Sequence, residues 1–198
     1  MFRIYFHIQD DMFGNLGLRL KRRGAWYHLV KLKGFTINFD CVKGTPFFQV
    51  HPDNRIRFDI YEIALADFKS IINEVFPERK DINAIFISAY IFNGKRRSAK
   101  SRVGRTFQLN NWNEYIAAKD KNNAVVYASV KNLSSSDVYN YCLSIRKGGR
   151  PAYISFYSND YLLYVSTDVI DIISNDSMNI AKLKDDYNGL YNTYYAQQ

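Results

Sequence analysis

The chain has few of the residues from which recognisable catalytic and metal sites are built: in 198 residues there are two cysteines, three histidines and four prolines. Cys41 and Cys142 stand far apart in apolar contexts, which suits neither a disulfide framework nor a zinc site. They are expected to be buried free thiols. The glycine patterns Gly14-Asn-Leu-Gly17 and Gly148-Gly149 fall short of a dinucleotide fingerprint or a phosphate loop. A serine nucleophile elbow and a His-Glu pair at helical spacing are missing as well. No catalytic residue, metal or cofactor is therefore assigned. No apolar run approaches the roughly 20 residues a membrane span requires, and Met1 to Gln9 alternates apolar and polar residues instead of forming a signal-peptide core. A cytoplasmic protein without membrane contact is the expectation.

Acid is scarce in one half only. Through Arg105 there are 19 Lys and Arg against 10 Asp and Glu, and from Thr106 onward 8 against 9. The basic excess thus belongs to the N-terminal half and points to an acidic partner there.

Aromatic residues are plentiful, with 16 Tyr, 14 Phe and 2 Trp, and the patterning is that of an α+β chain. Phe2 to Ile8, Leu16 to Leu20, Trp26 to Leu32, Phe35 to Phe39 and Arg55 to Glu62 read as strands between glycine and Pro/Asp/Asn punctuation. In Arg55 to Ile60 strict alternation turns Ile56, Phe58 and Ile60 to a core and Arg55, Arg57 and Asp59 away from it. Leu65 to Phe76 carries helical spacing closed by Pro77, and Ile82 to Phe92 returns to strand. Asn93 to Arg105 reads as an exposed loop or hairpin tip, Asn110 to Lys119 as a short helix and Ala124 to Val130 as a strand. Ser134 to Ser136 offer N-caps for a helix ending before Gly148-Gly149. A hairpin follows, Ala152 to Tyr157 and Tyr161 to Ser166. Ile180, Leu183, Tyr187, Leu190, Tyr191 and Tyr194 form one face of a terminal helix. The expected architecture is one α+β domain over residues 1–198, a mostly antiparallel or mixed sheet with three to four helices packed on it. Two lobes meeting near residue 105 are a variant of that reading.

The strongest local feature is Gly94 to Arg105, where Lys95, Arg96, Arg97, Lys100, Arg102 and Arg105 occur without an acid. Such a segment can neutralise phosphates in a salt-sensitive, sequence-blind manner, and the plainer reading is a solvated loop. Lys21, Arg22 and Arg23 form a second cluster with Trp26 beyond it, where cations beside an aromatic face suit base stacking, although Trp26 also fits a core position. His7, His28 and His51 could serve a metal-independent RNase if two of them converged, against ordinary structural roles in strands. Asp168, Asp171 and Asp176 have no EF-hand spacing; strand-end positions and a helix N-cap account for them.

Two groups of segments resemble a bacterial family of unknown function frequent in bacilli. The first is Ile56-Arg-Phe-Asp-Ile60, the helix ending Glu74-Val-Phe76, and Ile82 to Tyr90. The second is Tyr153-Ile-Ser-Phe156 and Asp168-Val-Ile-Asp-Ile-Ile-Ser174, with Leu183, Tyr187, Leu190 and Tyr191 downstream. Together they cover roughly residues 55 to 195. The resemblance implies a toxin-immunity role, since proteins of this kind include small non-enzymatic partners encoded beside secreted toxins. The first fifty or so residues and the basic segment have no counterpart in it. Many immunity proteins against basic nuclease toxins are acidic, so a basic one implies an acidic or mixed toxin surface.

The leading expectation is a non-catalytic protein-binding module, an immunity protein or inhibitor that meets an acidic toxin through Lys21, Arg22, Arg23, Trp26, Lys95, Arg96, Arg97, Lys100, Arg102 and Arg105. The alternative is a nucleic-acid-binding protein of phage or plasmid origin using the same basic loops. A metal-independent RNase stands behind both.

Overall fold

The computed structural model describes residues 27–32, 35–40, 54–77, 81–100, 103–109, 112–118, 121–152 and 154–193. The chain divides into two compact units, Met1–Gln49 and Val50–Gln198. The division falls there and not near residue 105.

In the first unit β1 (Tyr27–Leu32) and β2 (Phe35–Asp40) form an antiparallel hairpin, with Tyr27 opposite Asp40 and Leu32 opposite Phe35. The strands expected over Phe2 to Ile8 and Leu16 to Leu20, and Cys41, lie outside the described residues.

The second unit is α+β, as its sequence pattern requires. It contains β3 (Arg55–Asp59), α1 (Leu65–Val75), β4 (Ile82–Phe92), β5 (Lys95–Ser98), a 3-10 turn (Val103–Arg105), β6 (Trp112–Ala118) and β7 (Ala124–Leu133). It continues with α2 (Ser135–Arg146), β8 (Ile154–Tyr157), β9 (Tyr161–Val165), β10 (Val169–Ser174) and α3 (Ser177–Asp186). Eight strands make one sheet in the order β3-β10-β9-β8-β4-β7-β6, with β5 joined to β4. Every pairing is antiparallel. Strands from both sides of residue 105 share this sheet, so the change in charge there is not a structural boundary.

One face of the sheet and the helices close a common core. Ile56 and Phe58 of β3, Ile170 and Ile172 of β10, Leu163 and Val165 of β9, Phe156 of β8 and Phe86 of β4 are buried with Phe68, Ile71, Ile72, Val138, Tyr141, Ile180 and Leu183 of the helices. Burying each such aliphatic or aromatic side chain contributes about 1.5–3 kcal/mol. β8 is buried at every position and β9 at all but its first, so the middle of the sheet is closed on both faces and reads as continuous apolar runs.

The helices begin and end where their local chemistry dictates. Ser134 caps α2 in a reciprocal box, its hydroxyl accepting from the Asp137 amide while the Asp137 carboxylate accepts from the Ser134 amide at 2.9 Å. Gly148, with φ +83°, takes the left-handed conformation after the last turn. Asp176 caps α3 by accepting from the Met178 amide at 2.9 Å. The third helix is shorter than its apolar periodicity suggested. It ends at Asp186, Tyr187 and Tyr191 still pack on the core, and Leu190 is exposed. Cys142 is a free, buried thiol, and burial raises its pKa.

One element departs from its expected type. Asn110 to Lys119 reads as a short helix, yet Trp112–Ala118 is the edge strand β6, paired with β7 from Trp112 opposite Val130 to Ala118 opposite Ala124. The residues at positions 112, 115 and 116 match a helical stripe. Pairing with a ten-residue neighbouring strand overrides that local preference.

Candidate functional site

The basic segment that dominates the sequence is organised by a turn. Asn93 and Gly94 both have positive φ, 49° and 72°, the signature of a two-residue type I′ hairpin. This turn makes Phe92 and Lys95 the pair that closes the loop, and the register continues with Ile91 opposite Arg96, Tyr90 opposite Arg97 and Ala89 opposite Ser98. The tip is pinned to the neighbouring β6–β7 turn. The Gly94 amide donates to the Asn122 carbonyl at 2.8 Å, and the Asn93 amide to Asn123 Oδ1 at 3.2 Å.

Because side chains alternate along a strand, the three consecutive cations are divided between two faces. Arg96 lies on one side with Ile91, and there its guanidinium reaches Glu114 of β6 across the width of β4 and β7. Arg96 Nη1 donates to Glu114 Oε2 at 2.8 Å, and Nη2 donates to Oε1. The buried residues between them on that side are Ala89, Ala124, Val126 and Ala128, over which the arginine stem extends. A register shift between Ile87 and Ala89 leaves Ser88 unpaired on β4, and its hydroxyl donates to Glu114 Oε1 at 3.1 Å. Hydrogen bonds from Arg96 hold the Glu114 carboxyl below its ordinary range, with burial opposing and Ser88 assisting; the Arg96 guanidinium is held correspondingly higher.

Lys95 and Arg97 lie on the other side, directly opposite Phe92 and Tyr90. Those two rings are tilted against each other, with centroids 6.3 Å apart and an interplanar angle of 34°. Phe92 keeps 53% of its surface in solvent. Lys95 and Arg97 are exposed and have no ion pair among the described residues. The arrangement is a small platform of two cations beside two aromatic rings, on a hairpin whose tip is hydrogen-bonded to the next turn. It suits recognition of carboxylates or phosphates presented from an extended chain.

The remaining sequence candidates distribute as follows. Lys100, with φ +56°, follows the end of β5, and Arg105 closes the 3-10 turn; both are exposed. Lys21, Arg22, Arg23, Trp26 and Arg102 lie outside the described residues, as do His7 and His51. His28 is on β1. The reading of six cations unopposed by acid is corrected for Arg96, since its counter-ion arrives from a strand eighteen residues along the chain. The three acids near the C-terminus are engaged separately. Asp168 accepts from the Ser166 hydroxyl at 2.9 Å, Asp176 caps α3, and Asp171 sits in the middle of β10 as the buried partner of Arg57.

Sequence reasoning missed Tyr90, Phe92 and Glu114. The Asn93-Gly94 dipeptide carried the signal for the first two, since it fixes the hairpin register and with it the residues opposite each cation. Glu114 was hidden by the helical reading of β6. No family model matches this chain, and neither a curated protein nor a solved structure does.

Proposed function

We propose that the protein is a non-catalytic binding module of the immunity or inhibitor kind that works in the cytoplasm and covers an acidic partner with the β4–β5 hairpin. The observation that carries this reading is the placement of Lys95 and Arg97 on one face beside Tyr90 and Phe92, exposed and without an ion pair among the described residues. Fixed cations on a pinned hairpin attract and orient an acidic surface at little ordering cost. The resemblance of roughly residues 55 to 195 to a bacterial family of unknown function, a kind that includes partners encoded beside secreted toxins, points the same way, and an acidic or mixed toxin is the partner it suggests.

The test is titration with the protein encoded by the adjacent gene, at low and at physiological salt. The expected result is a complex of fixed stoichiometry that weakens when Lys95→Glu and Arg97→Glu are combined. Absence of any complex at low salt would overturn the reading.

One observation favours a second reading, a nucleic-acid-binding protein of phage or plasmid origin. The neighbouring rings of Tyr90 and Phe92, tilted against each other beside two cations, also suit bases and phosphates of a single strand. Binding to an oligo-dT strand that falls steeply as salt rises supports it, and affinity indifferent to salt removes it.

A further inference from the structure

The hairpin has an open side. β5 pairs with β4 alone, and no backbone group of Lys95, Arg96, Arg97 or Ser98 is bonded to any other strand among the described residues. In a two-residue hairpin the pair flanking the turn exchanges both of its backbone hydrogen bonds, and the pattern then alternates. Lys95 and Arg97 therefore direct their N–H and C=O groups at β4, and Arg96 and Ser98 direct theirs outward to the free edge. All four β5 side chains are exposed, and among the described residues no other strand pairs along that edge.

Resting on the reading of an acidic partner, we propose that this edge receives an extended acidic segment of the partner as an added antiparallel strand. Backbone hydrogen bonds from Arg96 and Ser98 would supply the pairing, and the cations would set the sequence preference. The alternation of β5 fixes that preference. On the face with Lys95 and Arg97 the incoming strand meets two cations, two residues apart, that lack an ion pair; on the other face it meets Arg96, already engaged by Glu114, and the neutral Ser98. The complementary segment thus carries acids at every second position with uncharged residues between them, since opposite charges directly across a strand pair stabilise it and like charges destabilise it. The same cations exclude a second copy of β5 from the edge by like-charge repulsion. A protein strand is preferred to a phosphate backbone here because the unclaimed groups alternate donor and acceptor at strand spacing, which an extended peptide matches.

The probe is a terminally blocked eight-residue peptide of alternating Glu and Val, compared with the same peptide N-methylated at its valines. N-methylation removes backbone donors and leaves the charge unchanged. Binding is read by titration and by hydrogen exchange at the amides of Arg96 and Ser98. Strand addition predicts slowed exchange at those two amides and about tenfold weaker binding of the N-methylated peptide, the loss expected from one or two net backbone hydrogen bonds. Ser98→Pro, which removes an outward N–H from an edge strand, is expected to weaken binding similarly, and Ser98→Ala is expected to leave it unchanged. If both peptides bind equally and without protection, strand addition is overturned and the acidic-partner reading stands, provided that Lys95→Glu with Arg97→Glu still abolishes binding. If neither peptide binds at low salt, both fall.

Discussion

Two arginines in this fold stand in antiparallel strands and each holds a carboxylate, yet they serve different ends. Arg57 on β3 lies directly opposite Asp171 on β10, donating through Nε and Nη2 at 2.7 Å to each carboxylate oxygen. Asp171 is 1% exposed and Arg57 18%. Arg96 reaches over two strands to Glu114, and those side chains are 53% and 24% exposed. The first pair is largely buried, so a lost partner leaves a charge away from water. The second is screened by solvent and contributes little to stability. What it does is remove Arg96 from a row of three cations and leave Lys95 and Arg97, on the opposite face, without an ion pair among the described residues. Charge at one margin of the sheet holds the fold, and charge at the hairpin is displayed.

The largest expected effect probes the interior pair. Arg57→Met leaves the buried Asp171 carboxylate without its counter-ion and should cost about 3–5 kcal/mol in urea unfolding, whereas adding Asp171→Leu in the same chain should recover most of the loss. A double variant no more stable than the single one would mean that the pair is not the interior feature described.

Next in size is Tyr141→Phe. The Tyr141 hydroxyl accepts from the Ala152 amide at 2.9 Å in a buried setting, and burial is the main cause of its raised pKa. Losing the acceptor leaves a buried N–H unpaired, at about 1–3 kcal/mol, measurable by thermal unfolding. Ser134→Ala, which opens the capping box of α2, should cost about 1 kcal/mol.

The smallest stability effect belongs to the hairpin pair. Glu114→Gln should change stability by at most about 1 kcal/mol at neutral pH. Because the folded pKa of Glu114 is lowered, its contribution is present above the ordinary carboxylate range and is lost as pH falls through the lowered value. The difference between wild type and Glu114→Gln in pH-dependent unfolding should accordingly vanish toward low pH. The same substitution releases Arg96, so binding of an acidic peptide should strengthen while stability barely moves, the reverse of the Arg57 result.

The difference between the two arginines also marks how far the sequence alone could be read. Strict alternation in Arg55 to Ile60 gave the core face of β3 correctly, and the periodicity of Leu65 to Phe76 and the serines before α2 placed two helices within a residue or two. These features are local. The partners of Arg57 and Arg96 are not: Asp171 lies 114 residues away and Glu114 eighteen, on strands whose pairing follows from the whole sheet. Asp171, expected at a strand end, is placed in mid-strand by the register of β10 with β3 and β9. The cationic segment was visible from composition, but its division into a bound arginine and two displayed cations depends on the turn type and on β6 being a strand. That strand was obscured because its aromatic and aliphatic residues also satisfy a helical spacing.

The most direct measurement compares Arg97→Gln with Lys147→Gln, which remove the same charge from two exposed sites, one on β5 and one at the end of α2, using the alternating Glu-Val peptide at low salt. The account predicts about fivefold weaker binding for Arg97→Gln, close to 1 kcal/mol, and almost no change for Lys147→Gln. Equal losses in the two variants would mean that the peptide responds to net charge alone and that the hairpin face has no special role.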